Sequence, residues 1–179
     1  MPLYFAYGSN MDRAAMAARC PGARMIGLAR LARHRLAIMR EGYATVVRDS
    51  RRAVHGALWD LPLADIPALD RYEEVASGLY AKCRQPVLSE GGARGALVYL
   101  GANAGPGVPR PGYLEGVLAA AREIGLPQSA LAEIAALGVG GGRLAPQPAA
   151  GPVQKVRPTR ATPCDPPRGI VRPGWSWTP

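Results

Sequence analysis

The chain has 179 residues, 48% of them apolar, which suffices for one ordinary domain with its own core and is too apolar for a disordered polymer. Its net charge of +9 is scattered, with no basic run longer than Arg51-Arg52, so it fits RNA, an anionic surface or an acidic substrate and selects none of them. Three widely spaced cysteines (Cys20, Cys83, Cys164) without a CxxC exclude a disulfide framework and a zinc signature, and no apolar stretch approaches the roughly 18 residues of a membrane span.

In chain order, Leu3 to Ala6 is a short apolar run that ends at Tyr7-Gly8-Ser9-Asn10, a strand entering a turn. Asp12 offers an N-cap for an Ala-rich helix that Pro21-Gly22 stops. Between Met25 and Asp49 come separate strand pieces, among them Arg35 to Met39 and Tyr43 to Val47. Ala53 to Leu61 is another, with Gly56 as a candidate bulge. Pro62 and Pro67 bracket a helix start, and Ile66, Leu69 and Tyr72/Glu73 fall at helical spacing. Leu79 to Leu88 and Ala93 to Leu100 read as a hairpin turning at Gly91-Gly92. After a Gly/Pro loop, helices are predicted over Tyr113 to Ile124 and Gln128 to Leu137.

Beyond Gly138 the composition changes: residues 140–179 hold half of the 18 prolines and a single acid, Asp165. A domain over 1–138 with a Pro/Arg-rich tail over 139–179 is the expected division. Trp175 and Trp177 leave open whether the tail hangs free or packs on the domain or a partner. Strands interspersed with helices, without regular βαβ alternation, predict an α+β domain whose small sheet is mixed or antiparallel and barrel-like, with flanking helices. The cysteine usage and a quickly polar N-terminus, too short for a signal peptide, predict a cytoplasmic protein.

Two segments are able to carry chemistry. A strand ending in Gly8-Ser9-Asn10 just before a helix start directs several backbone N–H groups one way, which suits a carboxylate or a developing oxyanion. The same residues also fit an ordinary glycine turn. In the segment Leu69 to Tyr80, the adjacent carboxylates Glu73 and Glu74 end an apolar-periodic helix, so one of them should turn toward the core or a cleft. Burial there would raise its pKa, as a general acid/base requires, although a solvated acidic pair fits the composition as well. His34 and His55 have no metal-spaced partner, Gly138 to Gly142 lacks the Lys-Ser/Thr of a phosphate loop, and Ser9 has no evident His/Asp partner.

Joined, the two segments resemble the γ-glutamylcyclotransferase, or AIG2-like, family. Tyr4-Phe5-Ala6-Tyr7-Gly8-Ser9-Asn10 matches its YGSN-type opening, and Leu69, Asp70, Glu73, Val75, Gly78 and Tyr80 match its LDxxEGVxxGxY-type segment. Ala44-Thr45-Val46, Gly56-Ala57-Leu58-Trp59, Pro111, Tyr113 and Gly125-Leu126-Pro127 agree more weakly. The resemblance spans about residues 2 to 127 and implies the fold of that family. It also implies cyclisation of a γ-glutamyl amide to 5-oxoproline, with Glu73 as acid/base and with Tyr7, Gly8, Ser9, Asn10 and Tyr113 binding substrate.

Neither metal nor cofactor is required by such chemistry. Glu74 departs from the family pattern, which usually has glycine there, and is placed either to add to the site or to perturb Glu73. The expected partner is a small γ-glutamyl compound. Asn10 argues against the glutathione-specific branch, which carries YGSL, and the basic surface would suit an acidic carrier protein. A homo-oligomer stays open, no membrane partner is expected and nucleic acid is disfavoured. The rival classes are a non-catalytic module for an anionic metabolite and a basic nucleic-acid-binding protein.

Overall fold

The structure, a computed structural model, describes residues 1–139. The C-terminal segment from residue 140, and with it the open choice between a free tail and one packed through Trp175 and Trp177, lies outside the described residues.

Five strands close into a barrel in the order β1-β3-β2-β4-β5: β1 Leu3–Ala6, β2 Arg24–Ile38, β3 Ala44–Asp60, β4 Tyr80–Ser89 and β5 Gly92–Gly101. Two antiparallel hairpins, β2–β3 and β4–β5, supply most of the pairing. The short β1 fills the gap between them, antiparallel to β3 and parallel to β5, which makes the sheet mixed. On the other side the hairpins meet only through Ala29↔Ser89 and Arg30↔Leu88. Phe5, Leu31, Val54, Leu58 and Val87 are fully buried at the centre. Among the described residues four helices flank the barrel: α1 Arg13–Arg19, α2 Ile66–Tyr72, α3 Tyr113–Glu123 and α4 Gln128–Val139. On α3, Leu114, Val117 and Ala121 recur at helical spacing and form its buried face. Among the described residues no helix is long and apolar enough to cross a membrane.

The strand pieces expected between Met25 and Leu61 are in fact two continuous strands of 15 and 17 residues. The polar stretch Asp49 to Arg52 lies within β3 but has no partner in β2: the ladder breaks off at Arg48↔His34 and resumes at Ala53↔Ala32. The bulge expected at Gly56 is also corrected. Register shifts between Met25 and Gly27, where Ile26 of β2 is the extra residue, and between Ala32 and His34, where Asp49 to Arg52 of β3 stand opposite Arg33, whereas Gly56 pairs regularly with Ala29. Gly56 is needed for closeness instead: a Cβ there would collide with the Ala6 carbonyl oxygen, at the end of the β1–β3 ladder.

Gly56→Ala should therefore cost about 1–3 kcal/mol, because the clash is with backbone that cannot turn aside. Gly91→Ala, where the nearest atom to a new Cβ is Ser89 Oγ at 3.9 Å, should be close to neutral. Urea denaturation of the two variants checks this, and equal stabilities would contradict the close-approach account.

Candidate functional site

The barrel brings the two sequence segments together at one end. After β1, Tyr7 and Gly8 lead into a single 3-10 turn, Ser9–Met11, closed by Met11 N–H donating to the Gly8 carbonyl at 3.0 Å. Asp12 then caps α1, its side chain accepting from Ala15 N–H at 2.9 Å, so the chain leaves the pocket along a short helix. On the opposite wall, α2 is held against the barrel by two neighbours. Leu69 is fully buried, and Asp70 accepts from Tyr99 Oη at 2.6 Å on β5 and from Lys82 Nζ at 2.7 Å on β4. Glu73 follows as the C-cap of α2, its N–H bound to the Leu69 carbonyl at 2.9 Å. The Leu-Asp pair thus sets the height and rotation at which Glu73 meets the loop.

Between these walls lies a small pocket lined by Tyr4, Tyr7, Gly8, Ser9, Asn10, Ala44, Glu73, Tyr80, Tyr99 and Tyr113. It continues into a wider depression that shares Ser9, Glu73, Tyr80 and Tyr113 and adds Tyr43, Tyr72, Glu74 and Leu79. All seven tyrosines of the chain therefore line this one region. Their hydroxyl protons are not equally available. Tyr7 donates to the Tyr99 carbonyl at 2.5 Å, Tyr80 to the Ala44 carbonyl at 2.7 Å and Tyr99 to Asp70, so those three protons are committed. The oxygen of Tyr4 accepts from Asn10 Nδ2 at 2.9 Å, and that of Tyr113 accepts from Ala44 N–H at 3.1 Å, which leaves each with a proton to give. Burial holds all five inner phenols protonated, pushing Tyr113 to about 12 and Tyr4 and Tyr7 well above their usual range.

Glu73 is the carboxyl of the pocket. Burial raises its pKa from 4.5 to about 7, opposed by the Arg19 guanidinium and by the hydrogen bond from Asn10. Asn10 is buried and fully used: Nδ2 donates to Glu73 Oε1 at 2.7 Å and to Tyr4, and Oδ1 accepts from Arg19 at 2.5 Å. Glu73 Oε2 accepts no hydrogen bond among the described residues. Glu74 lines the outer depression and not the inner pocket. It is exposed, with φ of +50° in the left-handed region, which is the physical reason a glycine suits this position.

Each residue proposed from the sequence lines the pocket: Tyr7, Gly8, Ser9, Asn10, Glu73 and Tyr113. Gly8 has φ of −124°, so its missing side chain serves space: a Cβ there would stand 3.1 Å from Tyr113 Oη. His34 lies away from the pocket, buried with Nδ1 2.8 Å from the Ala32 carbonyl oxygen, and no metal-binding cluster occurs among the described residues. Sequence reasoning missed Arg19, the anchoring role of Asp70, and Tyr4, Tyr43, Tyr72, Tyr80 and Tyr99 as lining groups. One signal was present: seven tyrosines against one phenylalanine. A core built only for burial favours Phe, whereas phenols in excess suggest a polar, hydrogen-bonded cavity.

The comparisons with known proteins agree with this architecture. A model of the AIG2-like family matches residues 53–133. The gamma-glutamylcyclotransferase of Mus musculus is 34% identical over 137 residues, covering 70% of this chain and 73% of that protein. The Homo sapiens gamma-glutamylcyclotransferase is 30% identical over 136 residues, 70% of this chain and 72% of that protein. A solved gamma-glutamyl cyclotransferase structure superposes with a TM-score of 0.70 at 27% identity, covering 86% of this chain and 94% of that one. The mixed five-strand barrel with its four helices is thus the γ-glutamylcyclotransferase-like fold, and the chain belongs to the γ-glutamylcyclotransferase, AIG2-like, family.

Proposed function

We propose that the protein cyclises a γ-glutamyl amide to 5-oxoproline and releases an amine or amino acid, with Glu73 as general acid/base. The observation that carries this reading is a pocket carboxyl with a pKa of about 7, fixed by Asn10 beside a loop of available donors. The substrate's α-ammonium, near pKa 7.8, gives a proton to Glu73. An ordinary glutamate near 4.3 would make that transfer about 5 kcal/mol uphill, and the raised pKa reduces the cost to about 1 kcal/mol. The freed amine attacks the γ-carbonyl carbon and closes the five-membered ring, an intramolecular step that needs chiefly the reacting conformer. The Tyr113 hydroxyl proton and the backbone N–H groups of Gly8 to Asn10 meet the developing oxyanion or the α-carboxylate. Glu73 returns its proton to the leaving nitrogen as the C–N bond breaks. The ring nitrogen loses its second proton, which departs with the product amine as an ammonium.

A free γ-glutamyl amine or γ-glutamyl amino acid fits best, with its leaving group in the outer depression beside Tyr43, Tyr72 and Leu79. The net charge of +9 also suits a γ-glutamyl group on an acidic carrier protein.

Glu73→Gln should lower turnover by about 10² or more with folding intact, whereas Glu74→Gln should stay near the parent, as followed by 5-oxoproline release. The reverse pattern would move the acid/base role to Glu74. The profile of kcat/KM against pH should be a bell. It falls below pH of about 7 as Glu73 becomes protonated and falls again as the free substrate's ammonium deprotonates.

The same raised pKa makes a stability prediction of definite sign. Between 4.5 and about 7 the folded state holds a proton that the unfolded chain has lost, so this contribution falls as pH rises through that window. A side chain that cannot titrate would remove that dependence. Glu73→Gln should be more stable than the parent at pH 8 by up to about 3 kcal/mol, the gap closing toward pH 4.5. Denaturant titrations at both pH values decide it, and a pH-independent gap would contradict a buried, titrating Glu73.

A further inference from the structure

Arg19 completes a ring of contacts around Glu73 that ring-closure chemistry does not itself demand. It lies in the last turn of α1, where a cation suits the carbonyl end of a helix. Its guanidinium stacks 3.6 Å from the centre of the Tyr72 ring, and the Tyr72 hydroxyl is 3.1 Å from Ser9 Oγ. From this position it donates to Asn10 Oδ1, while Asn10 Nδ2 donates to Glu73 Oε1 and Tyr4. The described ion pairs do not include Arg19 with Glu73, so the cation acts one amide away from the carboxyl.

An amide presents opposite polarities on its two sides, and a guanidinium has only donors. Arg19 therefore accepts only the oxygen side of Asn10, which forces the NH₂ group toward Glu73. A reversed amide would set oxygen against carboxylate and N–H against cation. We propose that Arg19 is a positioning residue: by locking the Asn10 amide it anchors Glu73 Oε1 and leaves Oε2 to move the catalytic proton. The proposal rests on Glu73 being the acid/base.

The groups around Glu73 are Tyr4 from β1, Tyr7 and Asn10 from the segment after it, Arg19 from α1, Tyr43 from the β2–β3 turn, Tyr72 from α2, Glu74 just beyond it, Tyr80 from β4, Tyr99 from β5 and Tyr113 from α3. Among them Arg19 is the cation, so loss of its charge must raise the pH at which Glu73 titrates.

The test is a ¹³C-carboxyl NMR titration of the substrate-free full chain, with the pH profile of cyclisation beside it. In Arg19→Met, Glu73 should titrate about half a pH unit or more higher, the acidic limb of kcat/KM should move equally, and kcat should fall about tenfold with KM within about threefold. Arg19→Lys, which keeps the charge, should restore most of the titration. Arg19→Gln takes the place of Arg19→Met as the uncharged variant if the latter does not fold. An unchanged titration and limb in the uncharged variants would overturn the proposal, whatever happens to their melting temperature. If the parent releases no 5-oxoproline, the functional reading fails, and the titration still decides the role of Arg19.

Discussion

The hydrogen bond from Asn10 to Glu73 joins residues 63 positions apart, and most of the molecule serves to keep it at 2.7 Å. Its two partners arrive on different elements. β1 delivers Asn10 through a single 3-10 turn, and α2 delivers Glu73 as its C-cap. Each element is pinned to the barrel by something other than that bond: β1 by pairing on both edges, α2 by Leu69 and by Asp70 on Tyr99 and Lys82. A carboxyl placed this way meets opposing demands. Burial alone would keep it protonated, and a direct ion pair would keep it ionised. An amide donor with the guanidinium behind it leaves the group close to half-titrated at neutral pH, where a proton can be taken and returned with little cost either way.

The tyrosines divide that labour. Three of the inner phenols give their protons to protein acceptors and so fix walls: Tyr7 and Tyr99 across the barrel mouth, Tyr80 on the backbone of Ala44. Tyr4 and Tyr113 accept instead, which reserves their protons for a guest. A cavity lined with phenols is polar, yet holds one ionisable group near neutrality, so under the proposed function a charged amino-acid moiety would exchange its proton with Glu73.

Much of this was legible in the sequence, unevenly and for physical reasons. Short elements with strong punctuation were read closely: the Leu3–Ala6 strand before Gly8, the Asp12-capped helix, α2 behind Pro62 and Pro67, and the hairpin at Gly91-Gly92. The long hairpin was read as fragments because Asp49 to Arg52 carry no strand pattern and stand unpaired, and the pairing on either side that joins the pieces is non-local. Gly56 carried a true signal with the wrong cause, since close approach of another strand and a bulge leave the same mark in one dimension. Glu73 was found through its motif. Its partner Arg19 was not, because a lone arginine in an arginine-rich chain carries no distinguishing pattern until the turn of α1 sets it over Tyr72. The roles of Leu69 and Asp70 as the clamp beneath Glu73 likewise required the neighbouring strands.

The central claim, intramolecular attack by the substrate's own amine, is tested most directly with a γ-glutamyl amine labelled with ¹⁵N at the α-nitrogen. The account predicts that the label appears quantitatively in the ring of 5-oxoproline, with unlabelled amine released in equal amount. Recovery of the label in free glutamate would show attack by water, and would contradict the account at its root.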